Sequence, residues 1–173
     1  MQNGINEYLD KPQESILQMP YQTFPSEGFK VACDCKLYAN ILHIQMARQQ
    51  GIYNIVNAYV CAENENNPDM AVITNINISD VSEIYKNVPT SNYSLAEKSY
   101  LDEYAANLRR NGVTSSYTSF QGGAALEYNF DLMGIPTKAI IIVKNKKSYL
   151  LQVASKRNLT SKYNTLKSSL VFL

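Results

Sequence analysis

The chain has 173 residues, 45% hydrophobic and 18% charged, with a formal net charge of +1. That balance supplies one ordinary core and excludes a chain disordered along most of its length. No run approaches the roughly 20 apolar residues that span a bilayer as a helix, and the first thirty residues lack the basic start and apolar centre of an export signal.

Charge sign is segregated. Residues 1–131 hold all fifteen acids and eight bases, whereas Lys138, Lys144, Lys146, Lys147, Lys156, Arg157, Lys162 and Lys167 follow Leu132 with no acid among them. Two readings stand. The segment offers a basic face to an acidic protein, an anionic lipid surface or nucleic acid, or it folds beside acids of the first part and the fields cancel.

In chain order, residues 1–18 mix Gly4, Pro12 and polar residues with no sustained period and read as a loosely ordered arm, ahead of a single α+β domain over residues 19–173. Tyr21 to Phe24 and Phe29 to Cys33, around Pro25-Ser26-Glu27-Gly28, predict a hairpin. Ile41 to Met46 and Ile52 to Cys61, separated by Arg48-Gln49-Gln50-Gly51, predict a second. Met70 to Ile78 alternates as a strand after the turn at Glu63 to Asp69.

From Ser94 onward the pattern predicts one unit: helix, three-stranded antiparallel meander, helix. Ser94-Leu95-Ala96-Glu97 has the form of a capping box. Leu101, Tyr104, Ala105 and Leu108 then recur at helical spacing, and Gly112 suits the left-handed position that ends a helix. Val113 to Phe120 and Ala124 to Phe130 read as one extended stretch interrupted by Gly122-Gly123. Met133-Gly134-Ile135-Pro136 turns into Thr137 to Val143, and Asn145-Lys146-Lys147 turns into Ser148 to Ala154. Asn158 to Ser168 closes the unit as a helix.

Little in the chain has the form of a catalytic constellation. His43, the only histidine, lies between Leu42 and Ile44 in an apolar run and reads as structural. No nucleophile turn of the G-x-S-x-G kind accompanies it, which disfavours serine and cysteine hydrolase chemistry. Glu63 with Glu65 and Asp102 with Glu103 read as solvated charge. Gly122-Gly123 lacks the Lys-Ser or Lys-Thr of a phosphate cradle and reads as a bulge or a close backbone approach. Cys33 and Cys35 share a face if extended, and either can meet Cys61 across neighbouring strands, so buried free thiols and one disulfide both remain open. The alternative functional reading is a metal or thiol site at Cys33, Cys35, Cys61 and His43, although a single C-x-C lacks the usual zinc spacing. No interleaving of aromatic and basic residues suggests a nucleic-acid stacking platform.

The element order resembles the PsbP-like superfamily, named for an extrinsic photosystem II subunit and including a yeast Ran-binding protein and many exported bacterial proteins. The carriers are Thr23-Phe24-Pro25-Ser26-Glu27-Gly28-Phe29-Lys30-Val31, the helix from Leu95 to Arg110, Phe120-Gln121-Gly122-Gly123-Ala124-Ala125, the strands around Met133-Gly134-Ile135-Pro136 and Tyr149-Leu150-Leu151-Gln152-Val153, and the end at Ser169-Leu170-Val171-Phe172. The resemblance covers roughly residues 20–173, and departs from common members in the three cysteines and in Cys33-Asp34-Cys35 standing where a proline follows the first strand. It implies an α/β/α sandwich with a central antiparallel sheet. It also implies a family that mostly binds partners rather than catalysing reactions. No cofactor is expected, and an exported or envelope setting is favoured over the cytoplasm. No functional residue transfers with it. The expected function is a non-enzymatic binding or assembly domain with a protein partner. It would use a sheet edge or a basic face at Lys146, Lys147, Lys156 and Arg157.

Overall fold

The computed structural model describes residues 20–173; the arm expected over 1–18 lies outside the described residues. The strands are β1 (Gln22–Phe24), β2 (Phe29–Val31), β3 (Tyr38–Ala39), β4 (Ile55–Glu63), β5 (Val72–Asp80), β6 (Ser115–Phe120), β7 (Gly123–Leu132), β8 (Ile135–Lys144), β9 (Lys147–Ser155) and β10 (Val171–Phe172). The helices are α1 (Ile41–Gln49), α2 (Tyr93–Arg110) and α3 (Leu159–Ser169). Seven strands form one sheet in the order β3-β4-β5-β9-β8-β7-β6, and β1-β2-β10 form a small second sheet. Every pairing is antiparallel. The fold is α+β, with helices on both sides of the large antiparallel sheet.

Strand alternation sends side chains to two faces. On the first, Cys61, Ile76, Ile78, Ile140, Ile142, Tyr149, Leu151 and Val153 meet Phe29 and Val31 of β2 and Tyr163 and Leu166 of α3. On the second, Leu126, Ile141 and Val143 meet Leu101 and Ala105 of α2 together with Val81 and Tyr85. Both faces of β8 are covered, which is why Ala139 to Val143 reads as a continuous apolar run.

Three expectations need correction. Ile41 to Met46 is not a strand but the body of α1, so β4 pairs with β5 rather than with it. The meander has four strands, because Gln121-Gly122 is a hairpin turn with positive φ at both residues (47° and 75°), and it separates β6 from β7. This is the twist-matched two-residue turn of antiparallel hairpins. Gly123, just beyond it, is the close backbone approach: a Cβ there would sit 2.9 Å from the Val143 carbonyl oxygen. The capping box does not form either. A 3-10 turn at Thr90–Asn92 runs directly into α2, and Glu97 instead accepts a hydrogen bond from the Tyr85 hydroxyl at 3.0 Å.

The C-terminal end of α2 matches its sequence signal. Gly112 N–H donates to the Arg109 carbonyl and Val113 N–H to the Leu108 carbonyl, satisfying two of the free carbonyls of the last turn.

Candidate binding surface

The structure separates the four basic residues expected to act together. Lys146 lies in the β8–β9 turn with Lys147 beside it, whereas Lys156 and Arg157 follow the far end of β9. Nine residues of extended chain put the two pairs roughly 30 Å apart. Neighbouring acids also engage the C-terminal bases: Lys156 pairs with Asp69 at 3.0 Å, Lys162 with Asp34 at 3.3 Å and Lys167 with Glu127 at 2.9 Å. The segregation seen along the sequence is partly cancelled in space.

Of the four residues of the metal or thiol alternative, the three cysteines adjoin one another and His43 lies apart from them. Cys35 is bonded to Cys61, with Cα atoms 6.0 Å apart. Cys33 stays free, accepting from the Gln22 amide at 3.3 Å and donating to the Cys35 carbonyl at 3.0 Å. Burial pushes the Cys33 thiol up from its ordinary pKa, so it is held as the thiol at neutral pH. Residues 32–37 leave the sheet after Val31 and bend at Asp34-Cys35, so the same-face argument for an extended Cys33 and Cys35 does not apply. His43 lies in α1, its Nε2 3.3 Å from the Asn77 side-chain amide. Among the described residues no group of three His, Cys, Asp or Glu side chains could hold a metal ion.

One buried acid stands out. Glu27, in the β1–β2 turn, is 4% exposed, with one carboxylate oxygen accepting from Ser26 at 2.7 Å and the other from Asn57 at 2.6 Å. Burial is the largest single influence on it and acts to raise its pKa, yet the hydrogen bonds from Ser26, Asn57 and Tyr59 together hold it below the ordinary value. Tyr59 in turn is pushed up to about 12, by burial first and by Glu27 second. This network ties the small sheet to β4. Because the folded pKa is lowered, its stabilisation is fully present above the unfolded value and is lost as pH falls through the folded value. Glu27→Gln is therefore expected to cost roughly 1–3 kcal/mol at pH 7, with the gap to wild type narrowing below about pH 4. Denaturant midpoints measured across pH check this, and a gap independent of pH would contradict it.

The surface the sequence did not reveal is apolar. Seven of the thirteen large apolar side chains exposed among the described residues fall between Tyr38 and Val56. α1 turns only Ala47 fully inward, against the sheet, and sends Ile41 (62% exposed), Leu42 (66%) and Met46 outward; Ile52 and Tyr53 (75%) continue the patch past its end. From Lys36 to Ala62 there is no acid, and the cations are Lys36 and Arg48. A groove of about 790 Å³ lies on the second face of the sheet, lined by Tyr38, Val60, Ala62, Ala71, Ile73 and Ile135 together with Lys36, Glu65 and Met133. The Lys36 ammonium stands over the Tyr38 ring, 5.3 Å from its centroid.

The local signals for α1 were present. Asn40 accepts the His43 backbone N–H on its side chain at 3.1 Å as an N-cap. At the other end Gly51 (φ 81°) lets Ile52 N–H reach the Ala47 carbonyl and its own N–H the Arg48 carbonyl.

No family model and no curated protein matches this chain. Among solved structures, it is similar to CyanoP, the PsbP of the cyanobacterium Synechocystis sp. PCC 6803, at 8% identity and TM-score 0.48, covering 95% of this chain and 98% of that one. It is also similar to PA94, a protein of unknown function from Pseudomonas aeruginosa, at 12% identity and TM-score 0.38, covering 58% and 69%. Likeness at this level does not assign a family.

Proposed function

We propose that this chain is a non-enzymatic binding or assembly domain that engages a protein partner through α1 and the segment that follows it. The observation that carries the reading is the cluster of exposed Ile41, Leu42, Met46, Ile52 and Tyr53 in a stretch without an acid. Side chains left in water at this density mark an interaction site rather than ordinary surface. The composition, with Met, Tyr and Arg present and Lys, Glu and Asp absent from residues 37–62, is that of the centre of a protein interface. An exported or envelope setting belongs to the same reading, supported by the Cys35–Cys61 disulfide, which persists in oxidising compartments.

The basic-face version is the weaker one, because its two residue pairs lie at opposite ends of β9. A quantitative pull-down from an envelope extract of the source cell separates the two. Leu42→Glu with Tyr53→Glu alters two exposed side chains and should leave the fold intact. Loss of two anchor side chains is expected to weaken partner retention on the order of thirtyfold, while Lys146→Glu with Lys147→Glu leaves it unchanged. Equal retention by the Leu42/Tyr53 variant would overturn the reading.

A further inference from the structure

The two edges of the large sheet are built differently. At the β3 edge, pairing lasts two residues and α1 then takes over alongside β4. At the other edge β6 runs six residues in unbroken register with β7, and among the described residues no hydrogen bond joins its outer side to anything. Proteins ordinarily blunt such an edge with lysine, proline, a bulge or a covering element. Residues 113–121, Val-Thr-Ser-Ser-Tyr-Thr-Ser-Phe-Gln, contain no charge and no proline.

The two-residue turn at Gln121-Gly122 fixes which backbone groups are free. It makes Phe120 and Gly123 a hydrogen-bonded pair, so Thr118 and Ser116, the alternate positions, also exchange bonds with β7. Ser115, Tyr117 and Ser119 are left with N–H and C=O pointing outward. These three positions are symmetric about Tyr117. An antiparallel copy of the same strand, related by a two-fold axis at Tyr117, pairs Tyr117 with its own equivalent and Ser115 with Ser119 of the second copy. All outward donors and acceptors are then satisfied at once.

We propose that β6 is a homodimerisation edge, joining two copies into one continuous antiparallel sheet. Side-chain chemistry fits a second copy. Ser116 falls opposite Thr118 of the other chain, a favourable cross-strand pair, and the two Tyr117 rings face each other on the side of α2. No charge on the strand opposes itself. Tyr117 is pre-positioned by its hydroxyl bond to Asp102, with the Lys98 ammonium 5.5 Å from its ring centroid. The contact is small, so the dimer is weak and reversible. Its geometry would leave α1 facing outward at both far ends of the joined sheet, presenting two partner-binding edges on one particle.

Sedimentation velocity of the full chain over a wide concentration range, with residue-resolved amide exchange by NMR, tests this. Expected is a reversible dimer in which the amides of Ser115, Tyr117 and Ser119 gain protection with concentration, while those of Ser116, Thr118 and Phe120 are protected throughout. Ser119→Pro removes one outward N–H, a change an edge strand tolerates, and should abolish dimerisation. Tyr117→Lys, which sets like charges opposite each other at the axis, should do the same, and it serves should the proline variant fail to fold. Leu42→Glu should dimerise as wild type. A chain that stays monomeric at every concentration would overturn the proposal, as would association that survives both β6 variants or that protects α1 instead of the alternate β6 amides.

Discussion

Phe29→Ala is expected to destabilise the protein by about 3–5 kcal/mol, a large share of the stability of a domain of this size. Phe29 has no solvent exposure and is the point where the small sheet meets the large one. Its ring stacks on Phe24 at 4.9 Å between centroids and meets Tyr149 edge-on at 5.8 Å. Tyr149 is itself fixed by donating its hydroxyl to the Glu27 carbonyl at 2.8 Å. Truncation removes the transfer energy of the ring, leaves a cavity that β2 cannot close while it pairs on both sides, and forfeits two oriented aromatic contacts. The melting temperature should fall by roughly 6–20 °C. Phe24→Ala, at a partly buried ring, should cost clearly less. If the two substitutions cost the same, or Phe29→Ala costs under about 1.5 kcal/mol, the small sheet is not anchored through Phe29.

The parts of the fold legible in the sequence are those where burial and local chemistry agree. α2 is apolar on the side that it buries, at Leu101 and Ala105, and ends on a glycine that its cap requires. β5, β8 and β9 alternate or run apolar according to how many of their faces are covered. α1 escaped for a physical reason: it points Ile41, Leu42 and Met46 at water and a small alanine at the core, so its hydrophobic pattern reports no helical inner face. The caps at Asn40 and Gly51 carried the only local evidence. The same inversion that hid the helix makes it the candidate surface.

The basic residues misled in the opposite way. Lys147 and Lys156 are nine positions apart, and in a helix that would be a short distance. In β9 it is the whole length of the sheet. The edge strand β6 gave its polar, uncharged pattern openly, but a strand's place at the edge follows only from the complete strand order.

Loss of the Cys35–Cys61 disulfide, by reduction or by Cys35→Ser, is expected to cost about 3.5 kcal/mol, the loop-closure value for a separation of 26 residues. That corresponds to a fall in melting temperature of roughly 7–14 °C. The closed loop contains β3 and α1, and few other contacts hold this segment. β3 pairs over two residues, and α1 is nine residues long with one fully buried side chain. A helix this short is not stable alone in water. The effect should therefore be concentrated: amides in α1 and β3 exchange faster on reduction, while those in β7, β8 and β9 change only in proportion to global stability. Under denaturing, non-reducing conditions one thiol, Cys33, should react with a maleimide, and three should react after reduction. If partner retention depends on α1 as proposed, reduction should weaken it as Leu42→Glu with Tyr53→Glu does, although no side chain of the surface is changed. Retention that is indifferent to reduction, in a chain whose α1 amides have lost protection, would remove α1 from the binding surface.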